Sequence, residues 1–186
     1  MNLRPDFFPH VMTLGTGPRR ALALHCTMAF GGAWGGLARL LGERLTLVAP
    51  DMPSHGKSAD WDEVSEFSET VYQATLSALD SEPMDLIGHS FGAVIALRIA
   101  HEYPEKVRSL TVIEPVFFAV AMRRRPEVMK DHDERSEAFY AAIEERDWPT
   151  AARTFNRMWS DKSPKWDTLP ERTRAAMIRG VHVVPG

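Results

Sequence analysis

Short apolar runs alternate with helix-like patterns along the first 114 residues, and this alternation restricts the fold more than any other feature of the chain. The predicted strands are VMTL, ALALHC, LTLVA, MDLIG and VRSLTVIE, which begin at Val11, Ala21, Leu45, Met84 and Val107. Between them, apolar residues recur at helical spacing. Because the inner runs are apolar almost throughout, they predict an α/β fold, a doubly wound and mostly parallel sheet with helices on both faces.

The pattern changes at Pro115, where the strand-like runs give way to charged helical segments rich in methionine and arginine. The helices predicted before this point lie at 34–41, 65–79 and 91–103. Those predicted after it lie at 117–129, 134–146, 149–160 and 170–179, and the short run VHVV at Val181 is the one strand candidate there. We therefore predict a sheet-based core over 1–114 and a helical cap over 115–186.

Composition excludes several classes of protein. A net charge of −3 gives no electrostatic case for binding nucleic acid or an anionic membrane surface. No apolar run approaches the roughly 20 residues that span a bilayer, and the first ten residues lack the apolar stretch of a signal peptide. The single cysteine, Cys26, excludes an intrachain disulfide framework. We expect a cytoplasmic protein of 186 residues with no nucleic-acid or membrane partner. Since no zinc-ligand spacing or phosphate-binding glycine pattern occurs, we also expect no metal and no cofactor.

The sharpest chemical signal is Gly88-His89-Ser90-Phe91-Gly92, a G-x-S-x-G pattern between a predicted strand and a predicted helix. In that context the serine occupies a tight, strained turn, and side chains two positions before and after it would collide with neighbouring backbone. The turn lifts the hydroxyl clear of the sheet and places it at a helix N-terminus, which favours developing negative charge. We predict that Ser90 is a nucleophile. The alternative is a plain turn with an N-capping serine.

Several motifs, taken in order, resemble the α/β-hydrolase superfamily from about Val11 to Glu114, followed by a cap-like helical insertion. HCT at His25 stands where that superfamily has His-Gly-x, DMPSHGKS at Asp51 matches its Asp-x-Pro-x-His-Gly-x-Ser stretch, and the serine turn and a strand ending in Glu114-Pro115 follow. The resemblance implies an α/β-hydrolase fold and a serine hydrolase that cleaves a small ester, thioester or amide. The alternative is a non-catalytic, ligand-binding protein or inactive fragment with the same fold.

The resemblance also implies roles for particular residues. The two backbone N–H donors of the oxyanion hole would come from Phe91 and Thr27, with Met28 as the neighbouring alternative for the second. Glu114 is a candidate catalytic acid, at the position after the sixth strand that a minority of the superfamily uses. The alternative is a glutamate that only ends a strand and binds backbone N–H groups. Cys26 departs from the glycine that the superfamily prefers, and we interpret it as a small buried hydrophobe rather than a second nucleophile.

No histidine of the chain matches the catalytic base of the superfamily, which follows the final strand. The seven histidines are His10, His25, His55, His89, His101, His132 and His182. We expect the last two strands and the histidine loop to be absent, and the chain by itself to be inactive. The run 107–114 would then be an open edge. We expect a second copy of the chain or a complementing C-terminal segment to cover it.

Overall fold

The computed structural model describes residues 7–159 and 164–185, and it divides into two compact units. The first unit ends at Val116, and the second runs from Phe117 to Pro185. Within the described ranges, no helix is long and apolar enough to cross a membrane. The assignment of the second unit as a cap over the first stays a prediction.

Five strands form one sheet in the first unit, in the order β1-β3-β2-β4-β5. The strands are β1 (Val11–Leu14), β2 (Arg19–Leu24), β3 (Leu45–Pro50), β4 (Met84–His89) and β5 (Val107–Ile113). β1 runs antiparallel to β3, and the other three pairs are parallel. The prediction of a mostly parallel sheet in an α/β fold is therefore confirmed.

Helices cover both faces of this sheet. They are α1 (Gly35–Leu41), α2 (Phe67–Leu76) and α3 (Phe91–Glu102). Ala21 and Ala23 of β2 share a buried cluster with Trp34 and with Ala38 of α1. Because successive side chains of a strand point to opposite faces, the residues between them on β2 face the other side, where α3 packs against β2, β4 and β5. The carboxyl ends of β2, β4 and β5 consequently meet at one edge, next to the start of α3.

The second unit is helical. Its helices within the described residues are α4 (Phe118–Arg124), α5 (Pro126–Glu144), α6 (Trp148–Met158) and α7 (Glu171–Gly180). The predicted break between 129 and 134 is wrong, because pairs of opposite charge four residues apart, Lys130 with Glu134 and Asp131 with Arg135, support a continuous α5. The break falls instead at Arg125, since Pro126 occupies the first turn of α5, where no N–H is needed.

The predicted strand candidate VHVV is also wrong. Val181–Val183 form a 3-10 turn directly after α7, and both valines are buried. Apolar residues two apart suit a strand, but they also fit a short turn that packs against a helix, and VHVV is too short for its periodicity to distinguish the two. Ser160, at the end of one predicted helix, lies outside the described residues.

β5 forms an open edge of the sheet. Among the described residues it pairs on one side only, with β4, and its apolar residues Leu110, Val112 and Ile113 are 36–39% exposed. Arg108, the charged residue of this strand, is bonded to Asp85 of β4. An apolar edge strand of this kind favours pairing with another chain.

We expect two copies of the 186-residue chain to associate through this edge. Light scattering after gel filtration should then give a mass above the 20.9 kDa of one chain. Thr111→Lys, which adds a charge to the exposed strand, should shift the protein towards monomer. Val64→Lys is the matched control, because Val64 is 89% exposed and lies outside the sheet. A wild-type chain that is monomeric and melts cooperatively would contradict this prediction.

Candidate active site

Ser90 lies in a strained turn between β4 and α3. Its backbone φ of 54° and ψ of −118° are far from the extended values of ordinary N-capping residues, and its side chain makes no capping hydrogen bond. Its own N–H donates to the carbonyl oxygen of Ile113 at 2.9 Å, which ties the turn to the end of β5. The N-capping alternative therefore does not describe this serine, whose hydroxyl is left for other chemistry.

Two glycines make the turn sterically feasible. A Cβ on Gly88 would lie 2.5 Å from the Cα of Ala93, and a Cβ on Gly92 would lie 2.5 Å from the carbonyl oxygens of Leu24 and His25. These neighbours are backbone atoms, which cannot move aside as the end of a flexible side chain can. The sequence predicts that both positions require glycine, and these close backbone contacts explain why.

The loop after β2 carries the second predicted oxyanion donor. The N–H of Met28 donates to the Nε2 of His55 at 2.8 Å and is therefore engaged. Among the described residues no acceptor is found for the N–H of Thr27, so Thr27 rather than Met28 offers a donor on this loop. The close approach of Gly92 to the end of β2 brings the residue after Ser90, Phe91, near this loop. Phe91 begins α3, where N–H groups have no partner within the helix.

Cys26 lies between His25 and Thr27 and is half-buried. Burial raises the pKa of its thiol, and the negative charge of Glu114 adds to that shift. A thiol that resists deprotonation is a poor nucleophile. The structure therefore favours the interpretation of Cys26 as a small hydrophobe beside the site.

Glu114, the predicted acid, directly follows β5 with a φ of 47°. Its carboxylate is 84% exposed, and its Oε2 lies 3.5 Å from the Nε2 of His89. No backbone N–H within the described residues binds this carboxylate, which disfavours the purely structural alternative. His89 lies here because β4 pairs with β5, where His89 stands opposite Ile113 and so beside the residue that follows it.

The described residues supply no hydrogen-bonded histidine to the serine. Within the described ranges, no histidine is hydrogen-bonded to the hydroxyl of Ser90, and no group of three or more acidic, histidine or cysteine side chains could hold a metal. The carboxyl ends of β2, β4 and β5 thus bring together a nucleophile candidate, two candidate oxyanion donors and a carboxylate. Such a set can attack a carbonyl carbon once the proton of the serine has an acceptor.

Asp51 begins the motif DMPSHGKS, and the sequence alone predicts no role for it. Its side chain is 1% exposed, and it accepts the N–H of Gly31 at 2.6 Å and the N–H of Lys57 at 2.9 Å. It also lies 2.9 Å from the Nδ1 of His10. This carboxylate joins the loop after β3 to the far end of the loop that carries Thr27. Its position directly after an apolar strand was the signal available in the sequence.

Comparison with known proteins bears on the family and the fold. The model of the alpha/beta hydrolase family matches residues 21–184. The chain is 33% identical over 110 residues to lipase LipV of Mycobacterium tuberculosis, covering 57% of this chain and 41% of that protein. It is 37% identical over 106 residues to a pimeloyl-[acyl-carrier protein] methyl ester esterase of Methylococcus capsulatus, covering 55% of this chain and 39% of that protein. The chain thus spans about two fifths of the length of these relatives.

A solved structure supports the fold over nearly the whole chain. The crystal structure of an alpha/beta hydrolase from Sphaerobacter thermophilus has a TM-score of 0.67 to this chain at 20% identity. The match covers 97% of this chain and 71% of that one. At this identity the likeness concerns the fold alone.

Proposed function

We propose that this chain, which belongs to the alpha/beta hydrolase family, carries the nucleophile and the oxyanion hole of a serine hydrolase. The observation that carries the proposal is the strained turn at Ser90, whose hydroxyl is not used in capping. The similarity to proteins named as a lipase and as a methyl ester esterase supports an ester as the substrate class. A thioester or amide requires the same chemistry.

The proposed reaction begins with attack of the Ser90 Oγ on the carbonyl carbon of the substrate. The carbonyl oxygen becomes an oxyanion, which would accept hydrogen bonds from the N–H groups of Phe91 and Thr27. Expulsion of the leaving group forms an acyl-enzyme, and water then releases the acid. Glu114 would orient the base that accepts the serine proton. Since no described histidine is bonded to Ser90, we propose that this base lies outside the described residues.

A second candidate function is ligand binding without turnover. The observation that favours it is the absence, within the described residues, of a histidine bonded to the serine hydroxyl. In that case a carbonyl compound would bind at the oxyanion donors without forming a covalent bond. The cytoplasmic location predicted from the sequence stays a prediction under either function.

Labelling with a fluorophosphonate separates the two functions. Without a base we expect the 186-residue chain to turn over little or no ester. Its turn and oxyanion hole should still make Ser90 react with a fluorophosphonate faster than an ordinary serine, so that the native chain forms an adduct on the peptide that contains Ser90. Mass spectrometry would locate the adduct. Ser90→Ala should abolish labelling, whereas Ser81→Ala, at an exposed serine outside the motif, should leave the rate unchanged. A native chain that labels no faster than the same chain unfolded in urea would count against the hydrolase and favour the binding function.

A further inference from the structure

Hydrogen bonds at both ring nitrogens fix the protonation and orientation of His55. The residue is buried, with only 2% of its surface exposed. Its Nδ1 lies 2.7 Å from the carbonyl oxygen of Pro53, and its Nε2 lies 2.8 Å from the backbone nitrogen of Met28. A carbonyl oxygen can only accept, so the proton is on Nδ1, and Nε2 is the acceptor for the Met28 N–H. The imidazole is therefore neutral and in a single tautomer.

The Met28 N–H belongs to a turn that methionine does not favour. The N–H of Ala29 donates to the carbonyl oxygen of Cys26 at 3.1 Å, which closes a four-residue turn with Thr27 and Met28 in its centre. Met28 has a φ of 63°, in the left-handed region, and the third position of such a turn normally prefers glycine. The bond from His55 is the one interaction that holds the Met28 peptide from outside the loop, among those found in the described residues.

His25 makes the reciprocal contact. Its Nδ1 faces the carbonyl oxygen of Cys26 at 2.8 Å, and its Nε2 accepts the N–H of Met52 at 3.0 Å. The two rings lie with their centroids 5.4 Å apart. A histidine of the loop after β2 thus binds the segment after β3, and a histidine of that segment binds the loop. Burial lowers the pKa of His25, which keeps it neutral and able to accept.

We propose that His55 is a positioning residue of the oxyanion hole, which holds the Thr27 N–H in place by fixing the peptide of Met28. This inference rests on the proposed hydrolase function. His55 is 27 positions from Met28 in sequence, and the bonds described above join it to backbone atoms of Met28 and Pro53. It acts on the reaction through the turn 26–29, whose backbone carries the donor.

Two substitutions at His55 separate positioning from simple support of the fold. In His55→Gln the amide oxygen takes the place of Nε2 and can still accept the Met28 N–H. In His55→Asn the shorter amide reaches only the place of Nδ1, so the bond to Pro53 is kept and the bond to Met28 is lost. We expect the fluorophosphonate rate at Ser90 to fall at least about tenfold in His55→Asn and to stay within about threefold of wild type in His55→Gln.

Hydrogen exchange of the Met28 amide measures the bond independently of reactivity. Exchange should be faster in His55→Asn than in wild type or His55→Gln, while the amide of Leu86, within β4, stays protected and shows that the sheet is folded. In a Met28→Gly background the effect of His55→Asn on labelling should shrink, because glycine adopts the turn conformation unaided.

The outcomes are distinct. Fast Met28 exchange with unchanged labelling in His55→Asn would overturn the positioning role while the hydrolase function stands. Unchanged Met28 exchange in that variant would overturn it as well, since the bond would not hold the turn. Failure of the native wild-type chain to label at Ser90 would defeat the proposed function and the positioning role together. The predicted pattern, slow labelling in His55→Asn with rescue in His55→Gln, supports both.

Discussion

Replacing Gly92 with alanine should destabilise the chain by about 3 kcal/mol and slow fluorophosphonate labelling of Ser90 about a hundredfold. The added Cβ would lie 2.5 Å from the carbonyl oxygens of Leu24 and His25 and 2.7 Å from the carbonyl carbon of Leu24. Because these are backbone atoms at the end of β2, the start of α3 has to move away from them. That shift separates Phe91 from the loop of Thr27, so the two oxyanion donors lose their common target.

Urea unfolding and the labelling rate at Ser90 measure the two parts of this prediction. Gly36→Ala is the matched control, because Gly36 is exposed in α1 and its added Cβ would meet nothing closer than Arg39 at 4.0 Å. Alanine there should stabilise the chain by about 0.5–1 kcal/mol and leave labelling unchanged. If Gly92→Ala unfolds and labels like Gly36→Ala, then the close approach of α3 to β2 is not what builds the site.

Local signals account for the parts of the fold that the sequence could predict. The strands of the sheet and the helix after Ser90 follow from apolar periodicity, and the serine turn follows from the steric need for glycine two positions to each side. The α/β class follows from the alternation of these elements. Each of these inferences depends on residues that are close together in the chain.

Contacts between distant residues account for what the sequence could not predict. The pairing of β4 with β5 puts His89 beside Glu114, and the bond between His55 and Met28 joins two loops 27 positions apart. Neither contact produces a periodic pattern in the sequence from which it could be predicted. The error in α5 has a different origin, because the charged run 130–135 is compatible with a loop, while its pairs of opposite charge four residues apart support a helix.

Substitution of Asp85 is expected to have the second large effect, on the stability of the chain rather than on the reactivity of Ser90. This carboxylate of β4 is 7% exposed, and it accepts hydrogen bonds from Arg19 of β2 and from Arg108 and Ser109 of β5. The bond from Arg19, with those from Arg108 and Ser109, holds the pKa of Asp85 well below its usual range despite burial. One buried charge thus joins three neighbouring strands near their amino ends.

We expect Asp85→Asn to lower the free energy of unfolding by about 2 kcal/mol at pH 7, because charge-assisted hydrogen bonds are lost but both arginines stay partly hydrated. The folded pKa of Asp85 lies below the unfolded value of about 3.9. Its contribution to stability is therefore complete above that pH and is lost as the pH falls towards the folded pKa. The deficit of Asp85→Asn relative to wild type should accordingly narrow between pH 5 and pH 2.

Asp80→Asn is the control for this measurement, since Asp80 forms an ion pair with Arg20 at the surface, where both side chains are at least one-third exposed. Its cost at pH 7 should be below about 0.5 kcal/mol. Urea unfolding of the three proteins at several pH values would decide the matter. Equal losses for the two variants would show that the burial and the additional bonds of Asp85 contribute nothing beyond an exposed ion pair. A deficit of Asp85→Asn that persists undiminished at pH 2 would show that the charge of Asp85 is not its cause. In either case the bonds from Arg19 and Arg108 would add nothing to stability, and backbone pairing and apolar packing would hold the three strands together.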